Sequence, residues 1–155
     1  MKSIGIVGLG FVGNAMYESL KERVNNNITI KIYDKYKNGG IGILSDLSDT
    51  AIIFLCLPTP FNESTNTYDM KSTYEVVSSL NMLNYNGIIV IKSTVIPGFT
   101  SIIQMEYPNL IFIHNPEFLT ARTAKIDIDN QKHIVIGGSN HYALNVISNF
   151  YSEYY

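Results

Sequence analysis

Gly8-Leu9-Gly10-Phe11-Val12-Gly13 sits directly after an apolar run, Ser3 to Val7, and opens a segment with helical periodicity. An acid, Asp34, closes the next apolar run, about twenty residues further on as a dinucleotide fold requires. Glycine-rich turns are common, so the spacing G-x-G-x-x-G alone says little; the strand before it, the helix after it and the acid beyond it specify a phosphate-binding turn. In that chemistry Gly8 permits the tight exit from the strand. Gly10 leaves room for a pyrophosphate, and Gly13 lets the helix lie close to the sheet. The helix beginning at Phe11 and Val12 aims unpaired amides and its positive dipole end at the phosphates. Asp34 would accept from ribose hydroxyls and repel a 2′-phosphate, favouring NAD over NADP, with Lys35 and Lys37 close enough to soften that preference. Without the glycines, Asp34 would read as a turn residue ending a strand.

Three further strand-end loops carry chemistry. Cys56-Leu57-Pro58-Thr59-Pro60 is a turn made rigid by two prolines, with the Thr59 hydroxyl facing the cofactor crevice. Ser93-Thr94-Val95-Ile96-Pro97-Gly98 puts two hydroxyls at a strand tip, and His114-Asn115-Pro116-Glu117-Phe118-Leu119 puts a carboxylate where a nicotinamide would end. Glu117 there suits general-base duty. Plainer roles exist: Ser93 and Thr94 as helix caps, Pro116-Glu117 as a helix start. Cys56 closes an apolar strand with no neighbouring base or helix N-terminus, and reads as a small buried hydrophobe. His114, His133 and His141 share no ligand spacing, so no metal site is expected. Tyr17 and Lys21 have the Y-x-x-x-K spacing of short-chain dehydrogenases, but on the phosphate-binding helix, where it is chance. Arg122 reads equally as a phosphate ligand or a solvated helix-face residue.

The elements that must position these loops are legible from periodicity. Residues 3–7, 28–33, 52–57, 88–92, 110–114 and 133–136 read as strands, and 11–24, 70–84, 99–107 and 140–152 as helices. Solidly apolar strands alternating with helices imply a doubly wound α/β domain of Rossmann type. Its mostly parallel sheet of about six strands would be covered on both faces. Only a short helix fits between Asn38-Gly39-Gly40 and Ile52. In such a sheet, ligands lie beyond the carboxyl ends of the strands, where all four loops fall.

Composition narrows the partners. A chain of 155 residues with a formal charge of −2 and no basic run offers no footprint for nucleic acid or an anionic membrane. One cysteine excludes an internal disulfide framework, and Met1-Lys2-Ser3 leads straight into a strand without a secretory leader. The apolar runs are strand-length. A single domain over 1–155 and a cytoplasmic location are expected.

GLGFVG, Asp34, LPTP, STVIPG and NPEFL, in this order, resemble the amino-terminal NAD-binding domain of the UDP-glucose/GDP-mannose dehydrogenase family. Members oxidise a sugar C6 hydroxyl to a carboxylate in two hydride transfers to NAD. The resemblance implies pyrophosphate contacts from Gly8, Gly10, Phe11, Val12 and Gly13, and ribose contact from Asp34. It also implies Lys35 near the adenosine, and Leu57, Pro58, Thr59 and Ser93 around the cofactor. Thr94 matches a threonine that helps position a water, and Glu117 a glutamate handling protons in thioester hydrolysis. Phe118 and Leu119 match backbone contacts to substrate phosphates. A nucleotide sugar, by default a UDP-sugar, is the implied substrate. The family's thiol, lysine and asparagine lie in later regions with no counterpart here. The chain therefore reads as a cofactor domain, inactive alone, that is a fragment or is completed by a partner chain. The alternative is a stand-alone NAD-binding module; a homo-oligomer is compatible with either. The Tyr-rich tail, Tyr142, Tyr151, Tyr154 and Tyr155, would then cover surface that another domain otherwise buries.

Overall fold

Side chains alternate across a strand, so an all-apolar strand must be buried on two sides at once. The computed structural model, described here for residues 3–24 and 28–155, meets that demand with a parallel sheet between two apolar layers. The five strands are β1 (Ser3–Val7), β2 (Thr29–Tyr33), β3 (Ile52–Leu55), β6 (Ile88–Ile91) and β7 (Ile111–His114), in the order β2-β1-β3-β6-β7. Ile4, Ile6, Ile52, Phe54, Ile88 and Val90 face the layer formed by α1 (Phe11–Arg23), α4 (Ala124–Asp129) and α5 (His141–Tyr154). Val7, Ile53, Leu55, Ile89 and Ile91 face α2 (Lys71–Met82) and α3 (Phe99–Glu106). The chain leaves β1 towards β2 on one side and later returns to β3 on the other. The switch point of the sheet therefore lies between β1 and β3, where the glycine turn emerges.

Two expectations need correction. Residues 133–136 form no strand: Ile134 and Ile136 pack on the core, and the chain meets β7 only through an antiparallel bridge between His114 and Gly137. Apolar β-branched residues thus give burial there without a ladder. Tyr151 and Tyr154 are buried and only Tyr142 of the tail stands free, so the tail belongs to the domain's own core. The Phe150 ring lies 5.4 Å from Phe54 on β3 and 5.2 Å from Tyr151. The second crossover holds only two short 3-10 turns, Lys37–Gly39 and Leu44–Leu47. An unforeseen hairpin, β4 (Phe61–Asn62) with β5 (Thr67–Tyr68), follows the proline turn, and α4 was also unforeseen.

A polar clasp ties α1 to the end of the chain. Arg23 donates to Asp129 Oδ1 at 3.1 Å and to the Tyr154 carbonyl at 3.1 Å, while Ser19 and Lys125 also bond the Asp129 carboxylate. Partial burial works against the ionised acid, but Lys125, Ser19 and Arg23 outweigh it and hold the carboxyl at about 2 against a usual 3.8. A depressed carboxyl stabilises the fold above its unfolded value, and that stability is lost as pH falls from 3.8 towards about 2. Asp129→Asn is expected to remove this part of the acid limb in a pH series of urea unfolding curves. Phe150→Ala should cost about 3–5 kcal/mol of unfolding free energy by the same method, the usual loss for a buried aromatic.

Candidate functional site

A cleft of about 620 Å³ runs along the carboxyl ends of the strands, from Asp34 beyond β2, past the glycine turn, to Lys92, Ser93 and Glu117 beyond β6 and β7. The glycine turn is built by close approach. Gly8 has φ +86°, and a Cβ there would lie 2.5 Å from the Cys56 carbonyl oxygen. A Cβ on Gly13 would lie 1.9 Å from the Gly8 carbonyl oxygen, so the helix can leave the strand only along this path. Gly10 differs: a Cβ there would meet nothing within 4 Å, which leaves its backbone open to the cleft. α1 begins just after it with no side-chain cap, so its first amides lack intrahelical partners. These features fit a pyrophosphate.

Asp34 fills the turn role open to it beyond β2. Its Oδ2 accepts from the Leu9 amide at 2.7 Å, and its Oδ1 accepts from the amides of Tyr36 and Lys37 at 2.9 and 2.8 Å. Partial burial disfavours its charge, yet those three backbone bonds outweigh the penalty and hold the carboxyl below its usual range. A carboxylate offers about four acceptor positions, so roughly one remains for a ribose hydroxyl. The two lysines beside it are engaged: Lys35 pairs with Glu75 of α2 at 2.9 Å across the cleft mouth, and Lys37 donates to the Leu9 carbonyl at 2.7 Å.

At the far end, hydroxyls lock loops together. Ser93 Oγ donates to the Leu57 carbonyl at 2.7 Å and accepts from the Leu57 amide at 2.9 Å. Thr59 Oγ1 donates to the Thr94 carbonyl at 2.7 Å. Neither Ser93 nor Thr94 caps α3, whose N-cap is Gly98, and no helix starts at Pro116 or Glu117. The Glu117 side chain is 6% exposed and forms an ion pair with Lys92, 2% exposed, at 2.7 Å. Beyond that pair, Glu117 Oε2 has no hydrogen-bond partner among the described residues, while Oε1 accepts from the Phe118 amide. Cys56 lines the cleft between these loops; burial pushes its thiol up to about 12, only partly opposed by the Lys92 ammonium, which suits a packing residue and not a nucleophile.

The cleft thus gathers Gly8, Gly10, Phe11, Val12, Asp34, Lys35, Leu57, Pro58, Thr59, Ser93, Thr94 and Glu117. Gly13 supports it from behind. Phe118 and Leu119 lie outside it: the Phe118 side chain is turned to solvent, 75% exposed, and Leu119 packs towards the α1 layer. Arg122 is exposed and borders a separate groove beside α1. Lys92 escaped the sequence reading. Its signal was a lysine ending a strand buried on both faces, Ile88 to Ile91, where a charge needs a buried partner.

Fold and cleft together define a dinucleotide-binding domain of the doubly wound class. A family model for the UDP-glucose/GDP-mannose dehydrogenase family, NAD binding domain, matches residues 41–155, and the chain belongs to that family as its NAD-binding domain. It is 28% identical over 163 aligned positions to a UDP-glucose 6-dehydrogenase of Campylobacter jejuni, covering 86% of this chain and 41% of that protein. An uncharacterised protein of Methanocaldococcus jannaschii is 30% identical over 127 positions, covering 78% of this chain and 13% of that one. In fold, the chain matches a GDP-mannose dehydrogenase of Pseudomonas aeruginosa, solved as a ternary complex. That match has a TM-score of 0.82 at 20% identity, over 99% of this chain and 44% of that one. A UDP-glucose dehydrogenase of Pyrobaculum islandicum gives 0.75 at 20% identity, over 100% and 45%. This chain therefore spans less than half the length of these relatives.

Asp34→Ala should weaken NAD binding by about 1–3 kcal/mol in a calorimetric titration, the usual loss of a charged hydrogen-bond partner. Unchanged affinity would assign Asp34 to the turn alone.

Proposed function

We propose that this chain is the cofactor-binding part of a nucleotide-sugar 6-dehydrogenase, a single domain over its 155 residues. In the complete enzyme a sugar C6 hydroxyl would be oxidised to a carboxylate, with a UDP-sugar as the default substrate. The observation that carries this reading is the continuity of one cleft from Asp34 to Thr94 and Glu117. A module that only held NAD would need the cleft but not the Thr94 hydroxyl or the Glu117 carboxylate within it.

In this reading the first amides of α1 and the open backbone at Gly10 hold the pyrophosphate, and Asp34 takes a ribose hydroxyl at its remaining acceptor position. Bound NAD supplies the hydride acceptor. Leu57, Pro58 and Thr59 form the wall beside the nicotinamide ribose, held in place by Ser93 and by the Thr59 to Thr94 bond. Thr94 is exposed at this end, and its hydroxyl would hold a water. Glu117 Oε2, paired only with Lys92, is the proton-handling atom. A thiol for the aldehyde-to-acid step must come from residues other than these 155 or from a partner chain. Cys56 is the single cysteine, and its thiol stays protonated far above neutral pH.

The test is NADH formation by the purified chain with NAD and a panel of UDP- and GDP-sugars, read beside NAD calorimetry on the same preparation. Binding without turnover, with turnover appearing when a chain carrying the thiol region is added, is the expected pattern. NAD binding with no response to any such chain or sugar would overturn the dehydrogenase reading in favour of a stand-alone NAD-binding module.

A further inference from the structure

Lys92 and Glu117 are the deepest charges in the molecule's cleft, and their neighbours are arranged around the lysine. Lys92 Nζ donates to Asn115 Oδ1 at 2.9 Å and reaches the Tyr151 hydroxyl of α5 at 3.4 Å. The Tyr151 hydroxyl also donates to Asn115 Oδ1, and Asn115 Nδ2 donates to the Val135 carbonyl at 2.8 Å. Four segments thereby fix one ammonium: β6, the loop after β7, the stretch before Gly137, and α5. Lys92 and Glu117 nonetheless both line the cleft.

The other titratable groups of this cluster carry no charge near neutral pH. Burial lifts the Cys56 thiol to about 12 and the Tyr151 phenol well above its usual value, and burial lowers His114. One positive and one negative charge remain, 2.7 Å apart, at the end of the cleft opposite Asp34. A dinucleotide anchored by its pyrophosphate at the glycine turn and by one ribose at Asp34 extends its second base towards this end. The oxidised nicotinamide ring is cationic and the reduced ring neutral. A lone carboxylate in so dry a place would favour the oxidised form, and a lone ammonium would oppose it.

We propose that Lys92 and Glu117 act as a matched charge pair that sets the relative affinity of this domain for NAD and NADH, Lys92 cancelling the pull of the Glu117 carboxylate on the nicotinamide. Lys92 is a positioning and charge-balancing residue: it aims one Glu117 oxygen and neutralises its field. The inference rests on the reading that NAD lies along this cleft with its nicotinamide at the β6 and β7 end.

The experiment titrates the chain with NADH by fluorescence and displaces it with NAD, giving the ratio of the two dissociation constants. Glu117→Gln leaves the Lys92 ammonium uncompensated and should shift the ratio towards NADH by about tenfold or more, since one unit charge a few ångströms away is worth from about fivefold in bulk water to about a thousandfold at a partly dry site. The double variant Lys92→Met with Glu117→Gln buries no unpaired charge, and its ratio should return to within about twofold of the parent. Should Glu117→Gln fail to fold, Lys92→Met takes its place. It is read at about pH 9.5, above the range of roughly 8–9 documented for buried glutamates, and should shift the ratio the opposite way. Equal weakening of both nucleotides by Glu117→Gln, or a double variant that keeps the single variant's ratio, would overturn the proposal. A parent chain that binds neither nucleotide would overturn the cofactor placement itself, a separate and recognisable result.

Discussion

The carbonyl oxygen of Gly8 lies where a Cβ on Gly13 would be only 1.9 Å away, and most of the cofactor end of this domain follows from that approach. Because the first turn of α1 lies against the strand exit, its unpaired amides open towards the space above β1 and not into the layer behind the sheet. The same path brings the Leu9 amide to Asp34 and the Leu9 carbonyl to Lys37, so the ends of β1 and β2 are joined by side chains as well as by the ladder. Gly8 in turn lies against the Cys56 carbonyl, which fixes the exit of β3. Contact distances at two glycines therefore set the spacing of three strand-end loops.

What reads directly from the sequence is what local pattern controls. The five parallel strands and four of the helices stand out because apolar runs of strand length alternate with helical spacing, and the glycine turn because its flanks agree with it. Residues 133–136 misled because burial and strand pairing share the same apolar β-branched vocabulary; Ile134 and Ile136 satisfy burial alone. Helix α4 was hidden by its length and by Asp127 and Asp129, whose polarity serves the clasp with Arg23 and the turn at Thr120. The hairpin after Pro60 has strands of two residues each, too short for any period to show.

The site was legible one loop at a time and illegible where loops meet. Ser93 and Thr59 were recognised as hydroxyls at strand tips, but sequence spacing cannot say that one bonds Leu57 and the other the Thr94 carbonyl. Lys92 ends the strand read over 88–92, just before the Ser93-Thr94 pair; only the sheet order, which places β6 beside β7, brings it to Glu117. Phe118 and Leu119, adjacent to Glu117 in sequence, diverge from it in space because the chain turns outward there.

Tyr151 of α5 reaches across the domain to the same Asn115 oxygen that holds Lys92. Helix α5 is thus part of the wall behind the cleft's deepest charges. The bond from the Leu9 amide to Asp34 spans 25 residues of sequence. The ammonium of Lys92 gains the Tyr151 hydroxyl, 59 residues away in sequence, only once α5 has docked. The Asp34 end of the cleft is thus fixed by contacts shorter in sequence than those that fix the Lys92 end, so the second depends on more of the fold being in place.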